Sequence, residues 1–239
     1  MKRSIYPTLF CLIVLPLLLS AVVAAFFTLG QAPITLRYLA VLLLAYLMGS
    51  IPWGYFLMHW SRGVDVREYG SGRTGMTNVL RTGGRRMAAA VLALDVGKGV
   101  VAVLLAREIL GSTGAEVAAG LLALAGHNWP VFLNFKGGRG IATGMGVLAI
   151  IAPIAAIIGM LMFIPVTLIS RYLSLGSVTG VITAGLALVA LAFLGMYSIA
   201  CAWYAVIGGT VIVWQHRDNI QRLLDGTERR LGVPAAEID

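Results

Sequence analysis

Apolar residues run along this chain in long blocks separated by short polar gaps. The blocks cover residues 5–29, 38–60, 87–110, 117–133, 141–170, 175–194 and 198–214. A bilayer core of about 30 Å needs roughly 20 apolar residues per helical crossing, and most of these blocks meet that length. The pattern predicts an all-α, polytopic transmembrane helix bundle. The block at 5–29, behind Lys2 and Arg3, is too long for a signal-peptide core and reads as a retained helix. Pro52 removes a backbone donor and predicts a kink near the end of the second block.

The block at 141–170 decides the topology. As one straight helix it would be about 45 Å long, well over the bilayer core, and Pro153 stands near its middle. Two short helices meeting at Pro153 put residues 1–3, the loops 61–86 and 134–140, Arg171 and the tail beyond Trp214 on one side. That side then carries 15 of the 18 basic residues, all except Arg37, Lys98 and Arg107. The positive-inside bias makes it cytoplasmic. The expectation is eight helices, two of them short: an additional N-terminal helix in residues 1–32, a bundle of about seven helices in 33–230, and a loose cytoplasmic tail in 231–239. Such a protein is a multi-pass component of the inner (plasma) membrane.

Composition agrees. Of the 239 residues, 59% are hydrophobic and 12% charged, about half the charge of a soluble domain. The formal charge of +8 is explained by topogenic residues beside an anionic leaflet, so no nucleic acid is expected as a partner. Cys11 and Cys201 sit in apolar runs without His or acid nearby, so neither a thiolate nucleophile nor a metal pair is expected. No metal site or cofactor is called for.

Four polar clusters fall on the basic side. Residues 70–81 (GSGRTGMTNVLR) place three glycines within six residues beside Ser71, Arg73, Asn78 and Arg81. Gly70, Gly72 and Gly75 free the backbone to curl its N–H groups toward one anion, although a loop with topogenic arginines would look similar. There is neither Walker A spacing nor a preceding strand. The second cluster runs from Gly126-His127 to Lys136-Gly137-Gly138-Arg139-Gly140, two cations and three glycines directly before a helix. His127 alone reads equally as a satisfied polar residue of the bundle. The third cluster, Arg171 to Ser177, contains Ser174 and could be a plain turn. The fourth holds His216, Arg217, Asp218, Asn219 and Arg222. Asp95 and Lys98, three apart within a helix, can pair as a brace.

Together with 49–55 (GSIPWGY) and 65–67 (DVR), and with the last cluster extended to Glu228, these stretches resemble, in order, the membrane-integral bacterial acyl-phosphate:glycerol-3-phosphate acyltransferase family, often called PlsY. The resemblance covers roughly residues 38–230 and leaves the first helix as an addition. It implies transfer of a fatty acyl group from acyl phosphate to glycerol 3-phosphate, giving lysophosphatidic acid and phosphate for phospholipid synthesis among membrane lipids. It also implies that Ser71, Arg81, Lys136, Ser174, His216 and Asn219 line the substrate site. The family loop usually reads Gly-Ser-Gly-Asn followed by Gly-Ala-Thr-Asn; here Arg73 and Met76 replace the first Asn and the Ala.

The inventory suits that chemistry. An acyl phosphate is already activated, so the protein needs only to hold two anions and aim a hydroxyl. Arg81 and Lys136, with Arg139 and Arg73, are the expected phosphate holders. Ser71 and Ser174 supply hydroxyls, and His216 and Asn219 orient the glycerol part. Backbone N–H groups of Gly70, Gly72, Gly137 and Gly138 complete the cradle. His127 and His216 are the candidate bases by type, whereas the resemblance implies that a substrate phosphate takes the proton.

The competing reading is a transporter or flippase for an anionic lipid or small phosphate compound. It predicts cations on both faces and a repeat. A metal-dependent phosphatidyl transferase would gather several carboxylates, and an acyl-CoA-dependent enzyme would be expected to pair a His with an Asp five residues on. The chain has neither pattern.

Overall fold

A computed structural model describes residues 5–232. Lys2, Arg3 and most of the expected tail, 233–239, lie outside the described residues. Helix α1 spans Tyr6–Gln31, α2 Ile34–Gly49, α3 Trp53–Arg62, α4 Met76–Thr82, α5 Arg85–Leu110 and α6 Thr113–Asn128. They are followed by α7 Ile141–Ile151, α8 Pro153–Ser170, α9 Leu173–Phe193, α10 Ile199–Gln215 and α11 Arg217–Leu224. Five of the described spans are long and apolar enough to cross a membrane, with α2 and α3 taken as one. The number is six if α10 and α11, bent by 56°, form one more.

The chain breaks where its local chemistry requires it. Between α2 and α3 the break falls at Ser50-Ile51-Pro52, where the Ile51 carbonyl, outside the regular helix ladder, accepts from Trp53 N–H at 3.2 Å and from Lys98 Nζ at 3.0 Å. In a bilayer such a group must find a partner inside the protein. The block at 141–170 divides at Ala152, with Pro153 opening α8, as its length demanded. Helix α6 starts with Ser112 as a cap accepting from Ala115 N–H at 3.3 Å. It ends at Asn128, earlier than the apolar block implied, because Pro130 cannot continue it and a short 3-10 turn, Val131–Leu133, follows.

Small residues set the packing. A Cβ on Gly49 would strike the Ala123 backbone, and one on Gly126 would strike Tyr46 and Ser50, so α2 and α6 cross backbone to backbone. Gly99 and Gly146 let α5 and α7 approach in the same way, against Thr143 and Val96 carbonyls. Close approach of small residues is how helices gain dispersion energy where lipid removes the hydrophobic drive. The first helix is attached through Phe10, whose ring lies 4.5 Å from Phe56 and 4.8 Å from Phe132; Tyr6 Oη donates to Phe132 O at 2.7 Å.

Long-range contacts sort the helix ends into two groups. One end joins Tyr38 to Ser112 (3.3 Å), Arg107 to Glu116 (2.8 Å) and Ile150 (3.4 Å), and Ile154 to Tyr197 (3.3 Å). The other gathers the loops 63–84 and 129–140, the α8–α9 turn and the segment from His216 to Leu231. There Leu231 N–H donates to Arg171 O at 2.6 Å. The predicted parity, with the basic loops sharing one end, is what these contacts describe.

Candidate functional site

At the basic end a cavity of about 100 Å³ is lined by Ser71, Arg73, Asn78, Arg81, His127, Arg139, Ser174, His216 and Asn219. Four separated stretches of chain therefore meet. Gly75, Met76 and Thr77 at the start of α4, and Gly140, Ile141 and Ala142 at the start of α7, also line it, so two positive helix ends abut the space. The cavity continues into an apolar groove of about 290 Å³ between α5, α7, α8, α9 and α10. Met76, Leu92, Ile141, Ala142, Phe163 and Ser177 line both spaces.

Among the described residues, Arg81 makes no hydrogen bond or ion pair, and the Arg139 Nε is buried without a partner. Burial, with Arg229 and Arg222 nearby, pulls the Arg81 guanidinium below its ordinary pKa. Burial and the Arg73 charge bring Arg139 down to about 10. Among the described residues neither guanidinium lies within ion-pair distance of a carboxylate, and both line the cavity.

His216 is 4% exposed. Its Nδ1 lies 2.8 Å from the Ile212 carbonyl, which can only accept, so Nδ1 carries the proton and Nε2 keeps its lone pair. Burial lowers its pKa to about 4, against the opposing effect of that hydrogen bond, so the ring is neutral at physiological pH.

Sequence reasoning missed Glu228. Buried at 8% exposure, its Oε1 accepts from Ser174 Oγ at 2.9 Å and Asn219 Nδ2 at 2.8 Å, while Oε2 accepts from Arg222 Nε at 2.8 Å. Burial pushes this carboxyl up, but the hydrogen bonds from Asn219, Ser174 and Arg222 outweigh it and hold the pKa below its ordinary value. The sequence signal was its place at the end of the stretch 216–228 that resembles the family, to which no role was attached.

Three expectations need correction. Lys136 does not join the cavity; it is exposed and lines a separate outer depression with Gly72 and Gly137. Positive φ angles at Asn134 (51°) and Phe135 (60°) turn the chain before it, so Arg139 alone of the two cations reaches inward. At Gly72, Gly137 and Gly138 the backbone N–H groups do not form the expected cradle. Ser71 N–H donates to Asn78 Oδ1, Gly72 N–H to Tyr69 O, Gly137 N–H to Asn128 O and Gly138 N–H to His127 O. The glycines permit close approach instead: a Cβ on Gly70 would strike Asn78 Oδ1, and one on Gly138 would strike the His127 ring. Finally, the Asn78 amide is committed to the loop, with Nδ2 within 2.8–3.0 Å of the Val66, Tyr69 and Arg73 carbonyls.

Asp95 and His127 line the cavity floor. Asp95 Oδ1 pairs with Lys98 Nζ at 2.9 Å and lies 3.6 Å from His127 Nδ1. The predicted Asp95–Lys98 brace is formed, and Lys98 extends it to Ile51 O.

An all-helical bundle with a cation-lined cavity opening sideways into an apolar groove defines an integral membrane protein suited to an amphiphile with an anionic head. The family described as Glycerol-3-phosphate acyltransferase matches residues 39–226, so the chain belongs to it, as its motifs implied. The Dehalococcoides mccartyi protein named glycerol-3-phosphate acyltransferase 3 is 47% identical over 207 residues, covering 82% of this chain and 96% of that protein. The Thermoanaerobacter pseudethanolicus glycerol-3-phosphate acyltransferase is 45% identical, covering 80% and 93%. Crystal structures of PlsY, an integral membrane glycerol 3-phosphate acyltransferase, superpose in its glycerol 3-phosphate form (TM-score 0.74, 38% identity, 82% of this chain and 96% of that one). Its lysophosphatidic acid form gives 0.73 and 37%. The first helix lies outside the residues matched by the family.

Proposed function

We propose that the protein transfers a fatty acyl group from acyl phosphate to the 1-hydroxyl of glycerol 3-phosphate at the cytoplasmic surface of the bacterial inner membrane. Lysophosphatidic acid and phosphate are the products. The observation that carries this reading is the meeting of two half-buried cations without ion-pair partners among the described residues, Arg81 and Arg139, with the mouth of an apolar groove. The groove takes the acyl chain from the bilayer, and the cations take phosphate groups.

In this mechanism Arg81, Arg139 and Arg73 hold the two phosphates, with Ser71 offering a hydroxyl. Ser174 and Asn219, fixed by Glu228, and the Nε2 lone pair of His216 orient the glycerol hydroxyls. The 1-hydroxyl oxygen attacks the acyl carbonyl carbon, the bond from that carbon to the phosphate oxygen breaks, and the departing phosphate takes the hydroxyl proton. Charge developing on the leaving group is met by the guanidinium groups and the positive helix ends. No protein nucleophile is required. Holding both reactants can supply about 7–11 kcal/mol in favourable cases. A transporter or flippase would need a cationic path to the far end, where Arg107 is instead paired with Glu116.

The test offers purified protein glycerol 3-phosphate with acyl phosphate, acyl-CoA or acyl carrier protein in parallel. Lysophosphatidic acid should form only with acyl phosphate. Equal or greater product with either thioester, or full activity in Arg81→Ala or Arg139→Ala, would overturn the assignment.

A further inference from the structure

The first helix, α1, lies outside the residues matched by the family, and most of its length is turned outward: Leu12, Leu17, Val23 and Phe27 are all exposed. Phe10, by contrast, is 2% exposed. The helix widens into a single π turn at Phe10–Val14, where Leu15 N–H donates to Phe10 O, and such turns are frequent at functional sites.

We infer that α1 is a clamp on the substrate site. Phe10 is a spacer between the two arms of chain that carry Arg81 and Arg139, and Tyr6 is the latch on the second arm. Neither side chain lines the cavity, so both are positioning residues.

The first arm begins at Phe56 in α3, whose ring is 4.5 Å from that of Phe10. Helix α3 is fixed to the loop and helix that follow it. A Cβ on Gly54 would strike the Thr74 carbonyl, and Arg62 donates to Thr82 O at 2.8 Å and Gly83 O at 3.4 Å, next to Arg81. Val79 joins Phe10 and Phe56 in one buried apolar cluster. The second arm begins at Phe132, 4.8 Å from Phe10 and edge-on to it at 74°. Its carbonyl accepts from Tyr6 Oη at 2.7 Å. From there to Arg139 the chain has little slack: Phe135 N–H donates to Pro130 O at 2.9 Å, Lys136 N–H to Leu133 O at 3.1 Å and Gly138 N–H to His127 O at 3.0 Å. A shift of Phe132 is therefore passed on to Arg139.

Arg81 and Arg139 come from different arms and line one cavity, so the distance between the arms decides whether bound phosphates meet both. Loss of such holding weakens ground state and transition state alike, which raises KM and leaves kcat in place. A side chain that only supported folding would act differently. Its loss would lower the amount of active protein, hence the apparent kcat, and leave KM unchanged. This kinetic argument rests on the acyl-transfer reading; the clamp itself does not.

The test compares Phe10→Ala, Phe10→Met and Tyr6→Phe with the wild type, each as the full chain in neutral detergent. Amide hydrogen exchange of stretches 70–83 and 129–140 needs no substrate. Phe10→Ala should speed exchange in both stretches roughly tenfold while α9 is unchanged, and should raise KM for glycerol 3-phosphate about fivefold with kcat within about twofold. Phe10→Met refills most of the volume and should return both readouts close to wild type. Tyr6→Phe loses only the latch, so exchange should rise in 129–140 alone and KM by about threefold. Tyr6 is 39% exposed, so this variant decides the matter even if Phe10→Ala does not fold. Unaltered exchange in Phe10→Ala and Tyr6→Phe, or a lower kcat at unchanged KM, would overturn the clamp. Absence of lysophosphatidic acid from the wild type would instead sink the acyl-transfer reading, and the exchange result would still decide the clamp.

Discussion

Glu228→Ala should collapse the acylation rate although Glu228 is the acceptor of hydrogen bonds rather than a phosphate holder. The substitution frees Ser174 Oγ and Asn219 Nδ2 from a shared carboxylate oxygen and releases Arg222. A hydrogen bond to a charged group contributes about 1.5–3 kcal/mol. The two buried bonds end on one oxygen, so they do not add fully, and Arg222 at 36% exposure is discounted for solvent screening. About 3 kcal/mol of positioning remains, which corresponds to roughly 100-fold in rate. Glu228→Gln keeps an acceptor for both donors but loses the charge, so roughly tenfold is expected. The assay is the initial rate of lysophosphatidic acid formation by the purified chain with varied glycerol 3-phosphate, alongside thermal stability. In a double variant, Glu228→Ala/Asn219→Ala, the further loss should be well below what Asn219→Ala costs alone. Activity of Glu228→Ala within threefold of wild type, or full additivity in the double variant, would refute the reasoning.

Other consequences follow from the same structure. Asp95→Asn should destabilise the fold by about 3–5 kcal/mol by leaving Lys98 charged and unpaired; Asp95→Asn/Lys98→Met should recover part of the loss in chemical denaturation, despite the lost cap on Ile51. Gly138→Ala places a methyl against the His127 ring and should cost about 1–3 kcal/mol, seen as a lower melting temperature. The pKa of His216 falls from 6.5 to about 4 on folding, so the unfolded chain binds more protons between those values. Stability should therefore drop as pH falls from 6.5 toward 4, and His216→Asn should flatten that dependence in a thermal-shift series. Glu228, lowered on folding, acts in the same direction at more acid pH: its contribution is complete above its unfolded value and is lost as pH falls through the folded one.

The bundle was legible because lipid imposes strict rules on length and charge. The break at Pro153 followed from a helix too long for the bilayer, and the shared side of the basic loops followed from that break. The meeting of Ser71, Arg81, Ser174, His216 and Asn219 was readable only through motif order, because periodicity says nothing about which loops touch. Lys136 and Arg139 could not be separated in sequence. Each is a cation among glycines, and only the left-handed turn at Asn134 and Phe135 sends one outward. The glycine loops misled for a related reason. Flexibility permits a nest of N–H groups, but here the loop's own carbonyls and Asn78 claim those donors. Glu228 was hidden because its partners lie 54, 9 and 6 residues away, and a short-range pattern captures none of that network.

The break at Ala152 also bears on how the site is kept in place. Helix α7, at 11 residues, is only about 17 Å long, too short to be recognised alone as a crossing segment. Its place depends on neighbours instead: the Gly99 and Gly146 close approaches set it against α5, and the turn at Ala152 joins it to α8, so the Arg139–Gly140 stretch at its start is held by packing that residues well beyond it complete.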